Sequence, residues 1–145
     1  MACRFDHITL VVRDLERAKG FFGALGFEET TRAVISGEEF ARYMGVPGLE
    51  ADHVTLELKG GEPRTQVQFL HYRHPPPALD PAVRNLARLG FNHVCFAVDD
   101  LAAAVGRLRA AGFATRGPAL EYHDRQLVFL DGPEGVTIEL AQWQA

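Results

Sequence analysis

Phe5-Asp6-His7-Ile8-Thr9-Leu10-Val11-Val12-Arg13-Asp14-Leu15 is met again as Phe91-Asn92-His93-Val94-Cys95-Phe96-Ala97-Val98-Asp99-Asp100-Leu101. The offset of 86 holds without a gap through Ala18/Ala104, Gly26/Gly112 and Phe27/Phe113. Self-similarity at a fixed offset signals two copies of one supersecondary unit. In each copy residues 5–12 or 91–98 are apolar and partly β-branched, which predicts a buried strand. Asp14 and Asp100 stand where an N-cap belongs, ahead of helices expected over 15–25 and 101–111. Gly26 and Gly112 occupy the left-handed position that closes a helix. A further strand is expected to start at Phe27 and at Phe113.

The ends of the two copies also correspond. Thr65–Tyr72 matches Val136–Trp143, each a strand finishing on a large aromatic residue. Turn residues precede both, Gly60-Gly61-Glu62-Pro63 and Asp131-Gly132-Pro133-Glu134-Gly135. The offset there is 71 (Gln68 to Glu139), so the first module is longer by 15 residues. The excess falls around Ser36–Gly48, where Glu38–Met44 reads as a short additional helix. His74-Pro75-Pro76-Pro77-Ala78-Leu79-Asp80-Pro81 is a stiff, non-helical stretch. The expected organisation is one domain, with modules 4–73 and 89–145 joined by a Pro-rich linker over 74–88. Each module reads as β-α-β-β-β, and neither covers its own sheet. The expected fold is α+β, with two tandem modules forming a curled mixed sheet around a cleft.

With 145 residues, 47% hydrophobic and 23% charged, the chain is long enough for one compact core and unlike a disordered segment. The formal net charge of -4 argues against a nucleic-acid partner. Cys3 and Cys95 form no Cys-x-x-Cys pair; one disulfide stays open, but not a stapled secreted scaffold. No run approaches the roughly 20 apolar residues of a membrane span, and the N-terminus does not read as a signal peptide. A cytoplasmic protein with no membrane partner is expected.

Strand alternation sorts the chemistry. Ile8, Leu10 and Val12 should face the helix of the first module, leaving His7, Thr9 and Val11 on the opposite face. In the second, Val94, Phe96 and Val98 face the helix, and His93, Cys95 and Ala97 do not. At the module ends Val67, Phe69, Ile138 and Leu140 are helix-side. Gln68, Leu70 and Tyr72, with Glu139, Ala141 and Trp143, face away. One concavity holding His7, Gln68, His93 and Glu139 would offer two imidazoles, a carboxylate and an amide oxygen, a donor set suited to Zn, Ni, Co, Fe or Mn with positions left open for substrate.

These residues carry a family resemblance. The pattern aromatic-x-His-x-x-apolar-x-x-x-Asp-Leu, the strand ending Ile138-Glu139-Leu140 and the preceding Asp-x-Pro-x-Gly turn resemble the vicinal-oxygen-chelate superfamily. It comprises glyoxalase I, methylmalonyl-CoA epimerase, fosfomycin- and bleomycin-resistance proteins and extradiol dioxygenases. The resemblance spans nearly the whole chain. It implies one divalent metal ion per site on His7, Gln68, His93 and Glu139, a small-molecule substrate and a homodimer, the site lying within one chain or shared between two. Gln68 departs from the Glu of bacterial glyoxalase I, and the His-Gln-His-Glu set is similar to that of methylmalonyl-CoA epimerase.

Glu139 is then the candidate catalytic base as well as a ligand, removing a proton α to a carbonyl while the metal stabilises an enediolate-like intermediate. The expected activity is that of a metal-dependent lyase or isomerase of glyoxalase/epimerase type on a small carbonyl substrate. The alternatives are an Fe(II) extradiol-type dioxygenase, with Gln68 a bystander, and a non-catalytic binder of the antibiotic-resistance type. Phe40, Tyr43 and Arg125 are candidate substrate-binding residues. Phe40, Tyr43 and Met44 suit core packing more readily, and Arg125, ahead of a strand over 126–130, suits loop solvation. Glu38 and Glu39 are candidates for a second acid/base group but read more readily as a solvated helix start. Cys95 faces the cleft but reads as a small buried packing residue rather than a nucleophile. His53, His71, His74 and His123 lack repeat partners and stay outside the ligand set.

Overall fold

A computed structural model describes residues 2–144. The chain divides between Leu79 and Asp80 into two compact units. Unit 1 runs β1 (His7–Val11), α1 (Leu15–Gly23), β2 (Phe27–Ser36), α2 (Glu38–Met44), β3 (Glu50–Leu58) and β4 (Gln66–His74). Unit 2 runs β5 (Val94–Ala97), α3 (Leu101–Ala110), β6 (Leu120–Tyr122), β7 (Arg125–Asp131) and β8 (Thr137–Trp143). The sheets have the same order, β1-β4-β3-β2 and β5-β8-β7-β6. In both, the first and last strands pair in parallel and the remaining pairs are antiparallel. The repeat is thus a repeat of βαβββ topology, and the strands carrying Gln68 and Glu139 are interior strands hydrogen-bonded on both sides.

The helix starts follow the expected capping chemistry. Asp14 Oδ1 accepts from the Arg17 amide and Asp100 Oδ1 from the Ala103 amide, each at 3.0 Å. Gly26 (φ 99°) and Gly112 (φ 91°) take positive φ where the chain leaves each helix, a conformation that costs other residues strain. Replacing Asp14 or Asp100 with Ala is expected to cost about 1 kcal/mol of stability each, read as a shift in the urea midpoint with an unchanged slope.

The alternation expected of the strands is present. Val12, Val67, Phe69, Ile138 and Leu140 are buried on the helix side, whereas His7, Thr9 and Val11 are exposed. In unit 1 the helix-side core is aromatic: Phe22 lies 5.1 Å from Phe21, 5.6 Å from Phe27 and 5.7 Å from Phe69, centroid to centroid. The inserted helix α2 occurs where expected, over Glu38–Met44. It belongs to a second apolar cluster in which Leu49, Ala51 and Leu70 are buried, with Ala41, Met44 and Tyr72 against them. Because Ala51, Leu70 and Tyr72 share the face away from α1, this cluster closes one end of the open face of unit 1.

Several expectations are corrected. The first strands are shorter than 5–12 and 91–98: β4 starts at Gln66, opposite His7, so Phe5 has no ladder partner, and Phe5 and Phe91 are exposed. The helices stop at Gly23 and Ala110. No strand starts at Phe113. Thr115 makes one bridge to Leu130 and the Arg116 amide donates to Phe129, but Gly117 and Pro118 follow. Proline has no amide to continue a ladder, and β6 begins at Leu120. Phe40 and Tyr43 do not pack in a core; they are 43% and 87% exposed, and Ala41 and Met44 make the contacts of α2. Cys3 and Cys95 are free thiols. Among the described residues no helix is long and apolar enough to cross a membrane.

Candidate functional site

In unit 2 the site residues lie on the face of the sheet away from α3. The β7–β8 register sets Phe129 opposite Glu139, Leu127 opposite Ala141 and Arg125 opposite Trp143, while Cys95 of β5 lies on the other side of Glu139. Entry into β8 is set by the turn 131–135. A Cβ on Gly132 would meet the Ile138 side chain at 2.6 Å and the Val136 carbonyl at 2.9 Å, so the turn admits only glycine there. One residue before β5, His93 turns its Nε2 to 3.4 Å from Glu139 Oε1. Phe129 meets the His93 ring edge-on at 5.1 Å.

The tautomer of His93 follows from its neighbours. Asn92 Nδ2 donates to the Leu86 carbonyl at 2.7 Å, which points Oδ1 at His93 Nδ1, also 2.7 Å away. An amide oxygen only accepts, so Nδ1 carries the proton and Nε2 keeps its lone pair in the neutral ring. A lone pair and a carboxylate oxygen then face each other across 3.4 Å, and an electrophile between them, a second ring proton or a metal ion, would relieve the repulsion. Ligands about 2.0–2.1 Å from a tetrahedral ion stand roughly 3.3–3.4 Å apart, so the pair fits two positions of such an ion.

Unit 1 repeats half of this device. His7 Nδ1 pairs with Asp6 Oδ2, and a carboxylate again dictates that Nδ1 is the donor, leaving Nε2 free. Asp6 and Asn92 are repeat equivalents, so the residue before each histidine holds its Nδ1 proton, as groups behind metal-binding histidines commonly do. The pairing with His7 is also the main reason the Asp6 carboxyl lies below its usual range. Gln68 is on the open face of β4, opposite Thr9, and its Oε1 accepts from His53 Nε2 at 2.9 Å. His53, which has no repeat partner, is tied to the candidate site by this contact, and Asp6 and Asn92, at equivalent places in the repeat, belong to it as the partners of the two histidines. Among the described residues, neither unit alone gathers three or more His, Cys, Asp or Glu side chains into a metal-binding group.

The remaining candidates separate. Cys95 is exposed on the open face rather than buried in packing. Its thiol is pushed up to about 12, first by partial burial and then by the Glu139 carboxylate, which makes it a poor nucleophile at neutral pH. Arg125 is not in a solvated loop: it is the first residue of β7, and its guanidinium lies 4.5 Å from the Trp143 ring centroid. Glu38 and Glu39 form the exposed first turn of α2.

Residues 4–140 match the family model for the glyoxalase/bleomycin resistance protein/dioxygenase superfamily. The chain belongs to that superfamily. Within it, the chain is 27% identical over 147 residues to an ethylmalonyl-CoA/methylmalonyl-CoA epimerase of Cereibacter sphaeroides, covering 98% of this chain and 99% of that protein. The crystal structure of a glyoxalase family protein from Bacillus cereus superposes with a TM-score of 0.88 at 26% identity, over 100% of this chain and 97% of that one. A glyoxylase/bleomycin resistance protein/dioxygenase domain from Frankia shares the fold at a TM-score of 0.71 and 19% identity, over 99% and 94% of the two chains. The expected glyoxalase-like fold is therefore shown. The superfamily houses different chemistries and binding proteins, so membership leaves the reaction open.

Proposed function

We propose that the protein is a divalent-metal-dependent isomerase or lyase of the epimerase/glyoxalase type, acting on a small carbonyl compound by proton transfer at the carbon next to the carbonyl. The observation that carries it is the repeated histidine, locked at Nδ1 by the preceding residue, with Glu139 Oε1 3.4 Å from His93 Nε2 in the second copy. His7 and Gln68 of one unit and His93 and Glu139 of another, from the same chain or a second copy, would hold the ion. When bound, the ion would supply Lewis-acid polarisation of the substrate carbonyl, which acidifies the neighbouring C–H.

The protein groups perform the rest. Asp6 and Asn92 keep the imidazoles in the tautomer that presents Nε2. A Glu139 oxygen takes the α-proton, giving an enediolate-like state; the carboxyl proton exchanges with solvent, and a proton returning to either face of the carbon completes the turnover. The epimerase from Cereibacter sphaeroides suggests the substrate class, a 2-alkylmalonyl thioester, whose α-hydrogen is flanked by two carbonyl groups. The test is proton exchange: metal-loaded protein incubated with methylmalonyl-CoA in deuterated buffer should wash deuterium into the α position far faster than buffer alone. Equal rates with and without protein would overturn this substrate class.

A further inference from the structure

Arg125 occupies a setting that neither the metal site nor the core requires. It opens β7, paired with Tyr122 of β6 on one side and Trp143 of β8 on the other. Its guanidinium carbon lies 4.5 Å from the Trp143 centroid and 5.6 Å from the Tyr122 centroid. Two π faces orient and stabilise the cation, yet neither accepts a conventional hydrogen bond. Its Nε is buried without a hydrogen-bond partner, and among the described residues no carboxylate pairs with the guanidinium. A partly desolvated charge that no carboxylate pairs is costly to keep, and a ligand anion meeting the terminal amino groups would offset that cost. Arginine held over aromatic rings in this way presents a planar fork of donors suited to oxyanions.

Position adds to the argument. Residues 125, 127 and 129 project from one face of β7, opposite Trp143, Ala141 and Glu139. Along the strand Arg125 stands on the order of 13 Å from the Phe129–Glu139 pair, with Leu127 and Ala141 between them. A ligand reaching from one to the other would meet donors at one end, an apolar middle and the His93–Glu139 pair at the far end.

We propose that Arg125, held between Trp143 and Tyr122, is an anion-recognition group that binds a carboxylate or phosphate at the end of an extended ligand whose other end lies toward Glu139. This rests on the open face being the ligand face, as in the function proposed above, but requires neither bound metal nor turnover. Trp143 is the one tryptophan of the chain, so its fluorescence reports directly on the guanidinium stacked against it.

The experiment is a fluorescence titration of the full chain, stripped of metal by chelator and desalted, with malonate and with inorganic phosphate at constant ionic strength. A saturable change is expected, weakened at least tenfold in Arg125→Gln and several-fold in Arg125→Lys, which keeps the charge but loses the fork. Whichever anion saturates identifies the oxyanion bound. Unsaturable drift with both anions, or equal affinity in wild type and either variant, would overturn the proposal. Because binding is read without metal, a failed proton-exchange assay leaves this result independent.

Discussion

Glu139→Gln is expected to slow α-proton exchange by about two to four orders of magnitude, the range general acid–base catalysis contributes. The two side chains have nearly the same shape, so the β8 ladder and the edge-on contact of His93 with Phe129 are expected to survive. The change removes the charge that faces His93 Nε2 at 3.4 Å; it also removes the basic oxygen needed to take a proton. Glutamine can still offer an oxygen to a cation, so loss of exchange with retained metal would separate the base role from the ligand role. A variant with the wild-type melting curve and wild-type exchange would show that another group moves the proton.

Phe22→Ala is expected to cost about 3–5 kcal/mol, the range for truncating a buried phenylalanine. Phe22 is fully buried and stands against Phe21, Phe27 and Phe69, which come from α1 itself, the start of β2 and the middle of β4. Those are the elements that fix β4 and, through it, Gln68. Against a typical stability of about 5–15 kcal/mol, such a loss is a large fraction of the whole. Urea denaturation followed by circular dichroism reads it directly; a midpoint within error of wild type would mean that the aromatic cluster closes over the cavity at little cost.

The repeat made most of the fold legible because its signals are local. Asp14 and Asp100 cap their helices with their own side chains, and Gly26 and Gly112 take the positive φ that glycine permits. The short helix Glu38–Met44 was legible as the surplus of one copy over the other. What could not be read depended on partners distant in sequence. Phe113 resembles Phe27, but its continuation is broken at Pro118, and the strand is resumed only at Leu120 by pairing with β7. Phe40 and Tyr43 have the spacing of a buried stripe, yet Ala41 and Met44 are the side chains of α2 that meet the cluster around Leu49, Ala51 and Leu70.

The candidate site divides along the same line. The facing of Gln68 and Glu139 away from the helices followed from strand alternation, and the structure brings His93 to Glu139. His53 was invisible because its contact with Gln68 is made between neighbouring strands, diagonally across the β3–β4 ladder. Arg125 read as a loop residue because the Tyr122–Arg125 hairpin carries no glycine; His123 takes a positive φ of 54° there instead.

The central claim, that the repeated histidines hold a divalent metal ion, is tested most directly by metal analysis with plasma mass spectrometry. Untagged wild-type protein and the His7→Ala/His93→Ala double variant would be compared after identical purification and reconstitution. Near-stoichiometric metal in the wild type, absent from the variant, is the predicted result, and iron rather than zinc, nickel or cobalt would turn attention to ring-cleaving oxygenation. Equal metal in both proteins, or none in the wild type after reconstitution, would contradict the account.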